Sequence, residues 1–265
     1  MVSVIRKWPV TSGAAAAMAL SGSLLLAHLL IPADFSGAAW VFTDSAMRLV
    51  LAIPGLILLG YIIQSNGFKF VFTARGFAKG MLACAAVLLL GLTPFLHFFH
   101  VSEMDMGYLP QIPAMVTQQI AAGIFEETLF RGLFMAAMLA KWSGTAKGRL
   151  ICVLVSGFVF GAGHLSNLFH GEDTRGVLIN ALGSCMFGLG FAAAWLYSKN
   201  LLCCMLAHAL NNIAVQLSDG LIAGVSDTPL LRALHIAQPV LLYAVIPLFA
   251  IFLSVKAKPY AITKM

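Results

Sequence analysis

Charge is what this sequence has least of. Asp, Glu, Lys and Arg make up 10% of its 265 residues, whereas 60% are hydrophobic. Soluble domains hold about 25% charged residues, so this composition excludes an ordinary soluble domain and indicates a polytopic membrane protein. Cysteine is sparse too, and badly spaced for chemistry. Cys84, Cys152, Cys185, Cys203 and Cys204 fall within apolar runs, and none forms a C-x-x-C pair. That argues against a disulfide framework or a thiolate metal centre and for packing roles. There is no H-E-x-x-H, the pattern that places two zinc-binding histidines on one helix. Nor is there an internal repeat, a linker or a second compositional block, so residues 1–265 read as a single integral membrane domain.

What is present is a series of long apolar runs. They predict an all-α bundle of about eight transmembrane helices, each near the roughly 20 residues that a bilayer requires. The expected spans are Ala14–Ile31, Met47–Ile63, Gly80–Phe98, Pro113–Ala140, Leu150–Phe169, Val177–Tyr197, Leu201–Leu217 and Leu234–Val255. Arg6 and Lys7 precede the first run, but that run is long and no convincing small-x-small cleavage site follows it, so a retained helix is expected rather than a signal peptide.

Charge placement tests that count. With a cytoplasmic amino terminus and strict alternation, the inner segments hold Arg6, Lys7, Lys69, Arg75, Lys79, Lys141, Lys147, Arg149, Lys199, Lys256, Lys258 and Lys264, and no acid. The outer loops hold Asp34, Asp44, Glu103, Asp105, Glu172, Asp173, Asp219 and Asp227 against Arg48, Arg175 and Arg232. Such a separation predicts both termini inside, in the cell (inner) membrane. The net charge of +6 is then topology, not a nucleic-acid surface.

Three of the apolar runs carry buried polar clusters. The fourth holds Glu126, Glu127 and Arg131, each bearing roughly 2.5–3.5 kcal/mol on insertion scales. Glu127 and Arg131 lie four apart on one helical face, in the favourable acid-then-base order. Glu126 is turned by about 100° and points elsewhere. Gly123, one turn earlier, leaves room for a neighbouring helix. The fifth run holds Gly157 and Gly161, a G-x-x-x-G face for close packing, followed by His164 with Phe160 one turn below. The seventh holds His208 and Asn212 on one face, with Asn211 turned away. His28, His97, His100 and His235 lack such company and read as interfacial; His170 reads as solvated. Counting about 1.5 Å per residue from the inner boundary puts Glu126 and His164 roughly 20 Å deep and His208 roughly 10 Å, a mismatch that tilt must absorb.

These residues resemble the CPBP family, which contains the type II CAAX prenyl endopeptidases and bacteriocin-processing and self-immunity proteases of the Abi type. Its motifs E-E-x-x-x-R, F-x-x-x-H and H-x-x-x-N/D read here as Glu126-Glu127-Thr-Leu-Phe-Arg131, Phe160-Gly-Ala-Gly-His164 and His208-Ala-Leu-Asn-Asn212. Each motif alone is weak; all three in order on separate spans are specific. The resemblance covers about residues 117–217, the expected catalytic core. It implies an intramembrane endopeptidase in which Glu126 and His164 activate a water, His208 and Asn212 stabilise the oxyanion, and Glu127, Arg131 and Phe160 support the site. A peptide or protein substrate, lipidated or membrane-bound, is the implied partner, alongside membrane lipid; no nucleic-acid partner is expected. Members are often called metalloproteases, and Glu126, His164 and His208 make a two-histidine, one-carboxylate set of the kind zinc takes. A site without a cofactor is favoured, because Asn212 is a poor zinc ligand.

Two other function classes compete. Buried Glu and His also build proton relays, so an ion-coupled transporter is the first alternative. Against it, no inverted repeat is visible. A catalytically silent scaffold is the second, and the completeness of the motif set weighs against it.

Overall fold

The structure, a computed structural model, describes residues 7–31, 37–65, 76–90, 93–170 and 173–258. Of the charges assigned to membrane faces above, Arg6, Asp34, Lys69, Arg75, Glu172 and Lys264 lie outside these residues, and the side chain of His170 lies outside as well.

The chain runs through helices α1 (Pro9–Leu30), α2 (Gly37–Ser65), α3 (Phe77–Leu90) and the short α4 (Thr93–His97). A continuous helical rod then follows, made of α5 (Ile112–Glu127), a π-helical segment (Thr128–Met135) and α6 (Ala136–Trp142). After it come α7 (Ala146–Gly163), a 3₁₀ stretch (His164–His170), α8 (Thr174–Ser198) and α9 (Leu201–Leu221). The last hairpin arm comprises α10 (Pro229–Val240), a π-turn (Leu241–Val245) and α11 (Ile246–Lys256). The starts are capped locally. Thr145, Asp173, Asn200 and Thr228 each accept a backbone N–H of the first turn. Lys199, with φ +60°, ends α8 in the left-handed conformation and turns the chain directly into α9.

Six of the described helical stretches are long and apolar enough to cross a membrane: Pro9–Leu30, Gly37–Gln64, Ala146–Phe169, Thr174–Ser198, Leu201–Leu221 and Pro229–Lys256. The sequence predicts eight. The other two expected spans are α3, which is only 14 residues long, and the α5–α6 rod, which carries the polar block. The protein is an all-α integral membrane protein, with one small β element among the described residues. Val101–Met104 pairs antiparallel with Ile222–Val225, joining the segment before α5 to the end of α9.

The interior is built from small residues. Ala192, Ala193 and Ala194 on α8 and Ala136 and Ala137 on α6 are wholly buried, while Leu29, Ile53, Phe158, Leu248 and Phe252 point outward. Without a hydrophobic driving force between helices in lipid, close backbone approach has to supply the packing. The G-x-x-x-G face does this. A Cβ on Gly157 would lie 2.8 Å from the Leu189 amide, and one on Gly161 would lie 2.6 Å from the Ala181 carbonyl, so α7 and α8 touch backbone to backbone.

Burial also corrects several expectations. Asp44 and Arg48, expected in an outer loop, lie inside α2, and Asp44 is 1% exposed. Arg149, expected at the inner surface, is buried and donates to the carbonyls of Ser143 and Ser254. Trp195 is fully buried in the core. The five cysteines are free and buried, as packing roles predict.

Candidate active site

The polar groups of α5 and α9 meet, although separate depth counts place them about 10 Å apart. Gly123 explains the meeting of α5 and α9. A Cβ there would lie 2.9 Å from the Met205 carbonyl and 3.1 Å from the Ala209 amide, so only glycine lets α9 approach at this level. His208 lies on the α9 turn that Gly123 admits, and it reaches both glutamates of α5.

Glu127 and Arg131 form the expected i,i+4 pair, at 2.8 Å between Oε1 and Nη1, with neither side chain exposed. The same Glu127 oxygen lies 2.9 Å from Nδ1 of His208. Arg131 also donates from Nη2 to the Gly188 carbonyl at 3.1 Å, fastening the rod to α8. Its guanidinium lies 4.4 Å from the centre of the Phe160 ring. Phe160 is a hub, in edge-on contact with Phe130, His164 and His208. Phe191 stacks on the other side of His208. The π-helical segment begins immediately after Glu127, and Thr128 bonds back to the Ile124 carbonyl at 2.7 Å. Such insertions are frequent at functional sites, and periodicity alone did not reveal this one.

Glu126 turns away from Arg131, as its helical offset predicts, but it is not without a partner. Its Oε1 accepts from Nη1 of Arg48 at 3.2 Å, and its Oε2 lies 3.7 Å from Nε2 of His208. Arg48 is held in turn by Asp44, whose two oxygens accept from Nε at 3.0 and 2.9 Å. Asp44 also lies 2.9 Å from Nε2 of His28 and accepts from Gln118 at 3.0 Å. His28, expected to be interfacial, is therefore part of the site's surroundings. His97 and His235 likewise have company, with their Nε2 atoms 3.3 Å apart and Nδ1 of His97 2.9 Å from Ser218 Oγ.

Two cavities adjoin these groups. One, of about 340 Å³, is lined by Glu126, Arg48, His28, His164 and the apolar faces of Leu25, Phe125, Leu129, Phe130 and Phe160. The other, of about 530 Å³, is lined by His164, Asn211, Asn212, Gln119, Phe187 and Tyr243. His164 borders both. Its Nδ1 faces the Phe160 carbonyl at 3.1 Å, so Nε2 is the ring nitrogen left for a cavity. Asn212 Oδ1 accepts from Asn211 at 3.4 Å, so the amide that the helical wheel turned away lines the same cavity as its neighbour. Asn212 thus enters the second cavity, across His164 from Glu126. Among the described residues no three His, Cys, Asp or Glu side chains are grouped as ligands for a metal ion. Of Glu126, His164 and His208, only Glu126 and His208 approach each other, at 3.7 Å, and no step is derived through a metal.

Glu126 and His164 thus line one cavity and Asn212 and His164 the other, with His208 packed beside both glutamates. Residues 108–214, which hold all of these groups, match the sequence model of the family described as type II CAAX prenyl endopeptidase, Rce1-like. No curated protein and no solved structure matches the chain.

Proposed function

We propose that this chain, whose residues 108–214 match the type II CAAX prenyl endopeptidase model, is an intramembrane endopeptidase that uses Glu126 and His164 to activate water. The observation carrying this reading is that both side chains line one cavity whose other walls are largely aromatic and aliphatic. Water admitted there meets an acceptor on Glu126 and a ring nitrogen on His164.

In the proposed reaction the carboxylate of Glu126 takes a proton from the water, and the oxygen adds to the scissile carbonyl carbon. The carbonyl π electrons move onto oxygen, giving a tetrahedral oxyanion. His208 and Asn212 are the proposed donors to that oxygen. Nδ1 of His208 faces Glu127, so Nε2 is the ring nitrogen turned toward Glu126 and the proposed donor. Asn212 accepts through Oδ1, which leaves its Nδ2 for the substrate. Collapse of the intermediate breaks the C–N bond, and the proton held by Glu126 passes to the leaving amine. Preorganised donors of this kind each contribute several kcal/mol in a water-poor site. Glu127 and Arg131 act by orienting His208 and the rod, and Phe160 by separating and bracing the two imidazoles.

The proposed substrate is a lipidated or membrane-associated peptide or protein, entering from a lipid-facing side. The proposed location is the cell (inner) membrane, with both termini cytoplasmic. Purified protein is tested on a farnesylated CAAX peptide and on an unprenylated membrane peptide. Glu126→Gln is expected to lower turnover by about 10²–10⁴-fold, the usual worth of a positioned general base, with thermal unfolding unchanged. Retained cleavage by that variant overturns the assignment. Cleavage of the farnesylated peptide alone assigns the prenyl class; cleavage of the unprenylated peptide removes it.

A further inference from the structure

The described residues contain two acid–arginine pairs at i,i+4 spacing that converge on the reacting groups from opposite sides. Glu127–Arg131 on the rod engages His208. Asp44–Arg48 on α2 engages Glu126. The second pair lies outside the stretch 108–214 that matches the protease family, and α2 otherwise contributes a largely apolar helix.

We infer that Arg48, clamped by Asp44, is a positioning residue that sets the rotamer of Glu126 for attack. The inference rests on the reading of Glu126 as general base. Four observations support it. Nη1 of Arg48 lies 3.2 Å from Oε1 of Glu126, which fixes that oxygen and leaves Oε2 on the side of His208. Arg48 is not a loosely held surface cation, because both oxygens of Asp44 accept from its Nε within 3.0 Å. Asp44 is itself immobilised by His28 from α1 and Gln118 from α5, so three helices besides its neighbours' own packing determine where the guanidinium stands. Finally, Arg48 and Glu126 line the same cavity, so the contact is made at the edge of the reaction space rather than behind it.

The chemistry explains the arrangement. A glutamate has three side-chain torsions, and one on a helix facing a cavity of 340 Å³ has room to adopt several rotamers. A base that must approach a water and a carbonyl within hydrogen-bond reach loses rate steeply when misplaced; an error near 1 Å costs about 10²-fold. A charge-assisted bond from a doubly anchored guanidinium holds one carboxylate oxygen while the other remains directed at the reacting atoms. Lysine cannot reproduce this, since a single ammonium cannot bond Asp44 and Glu126 in the fixed fork that guanidinium offers.

The test uses the full-length protein in detergent and the farnesylated CAAX peptide. Arg48→Ala is expected to lower kcat by about 10²-fold, with KM changing less than about twofold. Added guanidinium ion, which can occupy the vacated site, is expected to restore part of that loss, and Arg48→Lys to restore less. Asp44→Asn, which keeps the shape and removes one charge, is expected to lower kcat while leaving Arg48 in the chain. Thermal unfolding of each variant is followed alongside. Wild-type kcat in Arg48→Ala overturns the inference. So does a loss of kcat that follows a lowered unfolding temperature and does not respond to guanidinium, because a purely structural role predicts that pattern. Glu126→Gln separates the two levels: an active Glu126→Gln removes the base itself, whereas an inactive one beside a fully active Arg48→Ala removes only the positioning role.

Discussion

Nδ1 of His208 and Oε1 of Glu127 lie 2.9 Å apart, joining two helices whose residues are 81 positions apart in sequence. That contact takes up Nδ1 and turns the Nε2 edge toward Glu126. The sequence pairs Glu127 with Arg131 alone. In the fold the same oxygen serves both, so Glu127 acts as orienter of an imidazole as well as counter-ion of an arginine. That double duty places the second glutamate of the E-E-x-x-x-R motif between packing and chemistry.

The first consequence concerns stability. Glu127 and Arg131 have no side-chain exposure, so removing the arginine leaves a buried carboxylate with only His208 to compensate it. Breaking one partner of a buried pair typically costs about 3–5 kcal/mol. Arg131→Ala is therefore expected to lower the thermal unfolding temperature in detergent and to lower turnover with it. Adding Glu127→Gln to that variant is expected to recover part of the stability, because the stranded charge is then gone. Unfolding of Arg131→Ala at the wild-type temperature would contradict this account.

The second concerns the approach of α5 and α9. At Gly123 an added methyl meets backbone atoms of Met205 and Ala209 at 2.9 and 3.1 Å, and backbone cannot swing aside. Gly123→Ala is expected to destabilise by about 1–3 kcal/mol, the usual cost of overpacking. It is also expected to reduce turnover, since it separates Glu126 from His208. Gly60→Ala on α2 is the comparison, because nothing lies within 4 Å of its Cβ position. Removing a helical glycine there is expected to be neutral or stabilising by up to about 1 kcal/mol. Equal behaviour of the two variants, read by thermal unfolding and turnover, would refute the packing argument.

These contrasts show which parts of the molecule sequence reasoning reaches. Glu126, Glu127, Arg131, His164 and His208 stand out because each is an isolated polar group in an apolar run, where an ionisable residue is costly and seldom incidental. Helical spacing then says which of them share a face, and Glu127–Arg131 follows directly. Asp44, Arg48 and His28 were not legible in this way. They fall near the ends of apolar runs, where polar residues are ordinary, and α2 begins at Gly37, ten residues before the predicted span. The 10 Å discrepancy in depth arose from counting every helix as a straight rod from a common plane. Helices that start at different levels, with a π-helical insertion in one of them, remove that premise.

The third consequence concerns metal ions. A zinc site built from Glu126, His164 and His208 needs three donor atoms converging on one point with the opposite ring nitrogens held by hydrogen bonds. Nδ1 of His164 and Nδ1 of His208 are indeed held, by the Phe160 carbonyl and by Glu127. Convergence is what is lacking. Oε1 of Glu126 is engaged by Arg48, a cation that a divalent ion at the carboxylate would have to displace, and the three groups are not arranged as a ligand set. Turnover of the farnesylated peptide is therefore expected to survive exhaustive chelation, with less than one equivalent of zinc per chain in the active preparation. Activity that disappears on chelation and returns with stoichiometric zinc would show that Arg48 gives way to a metal, and Glu126 would then be a metal ligand rather than the general base.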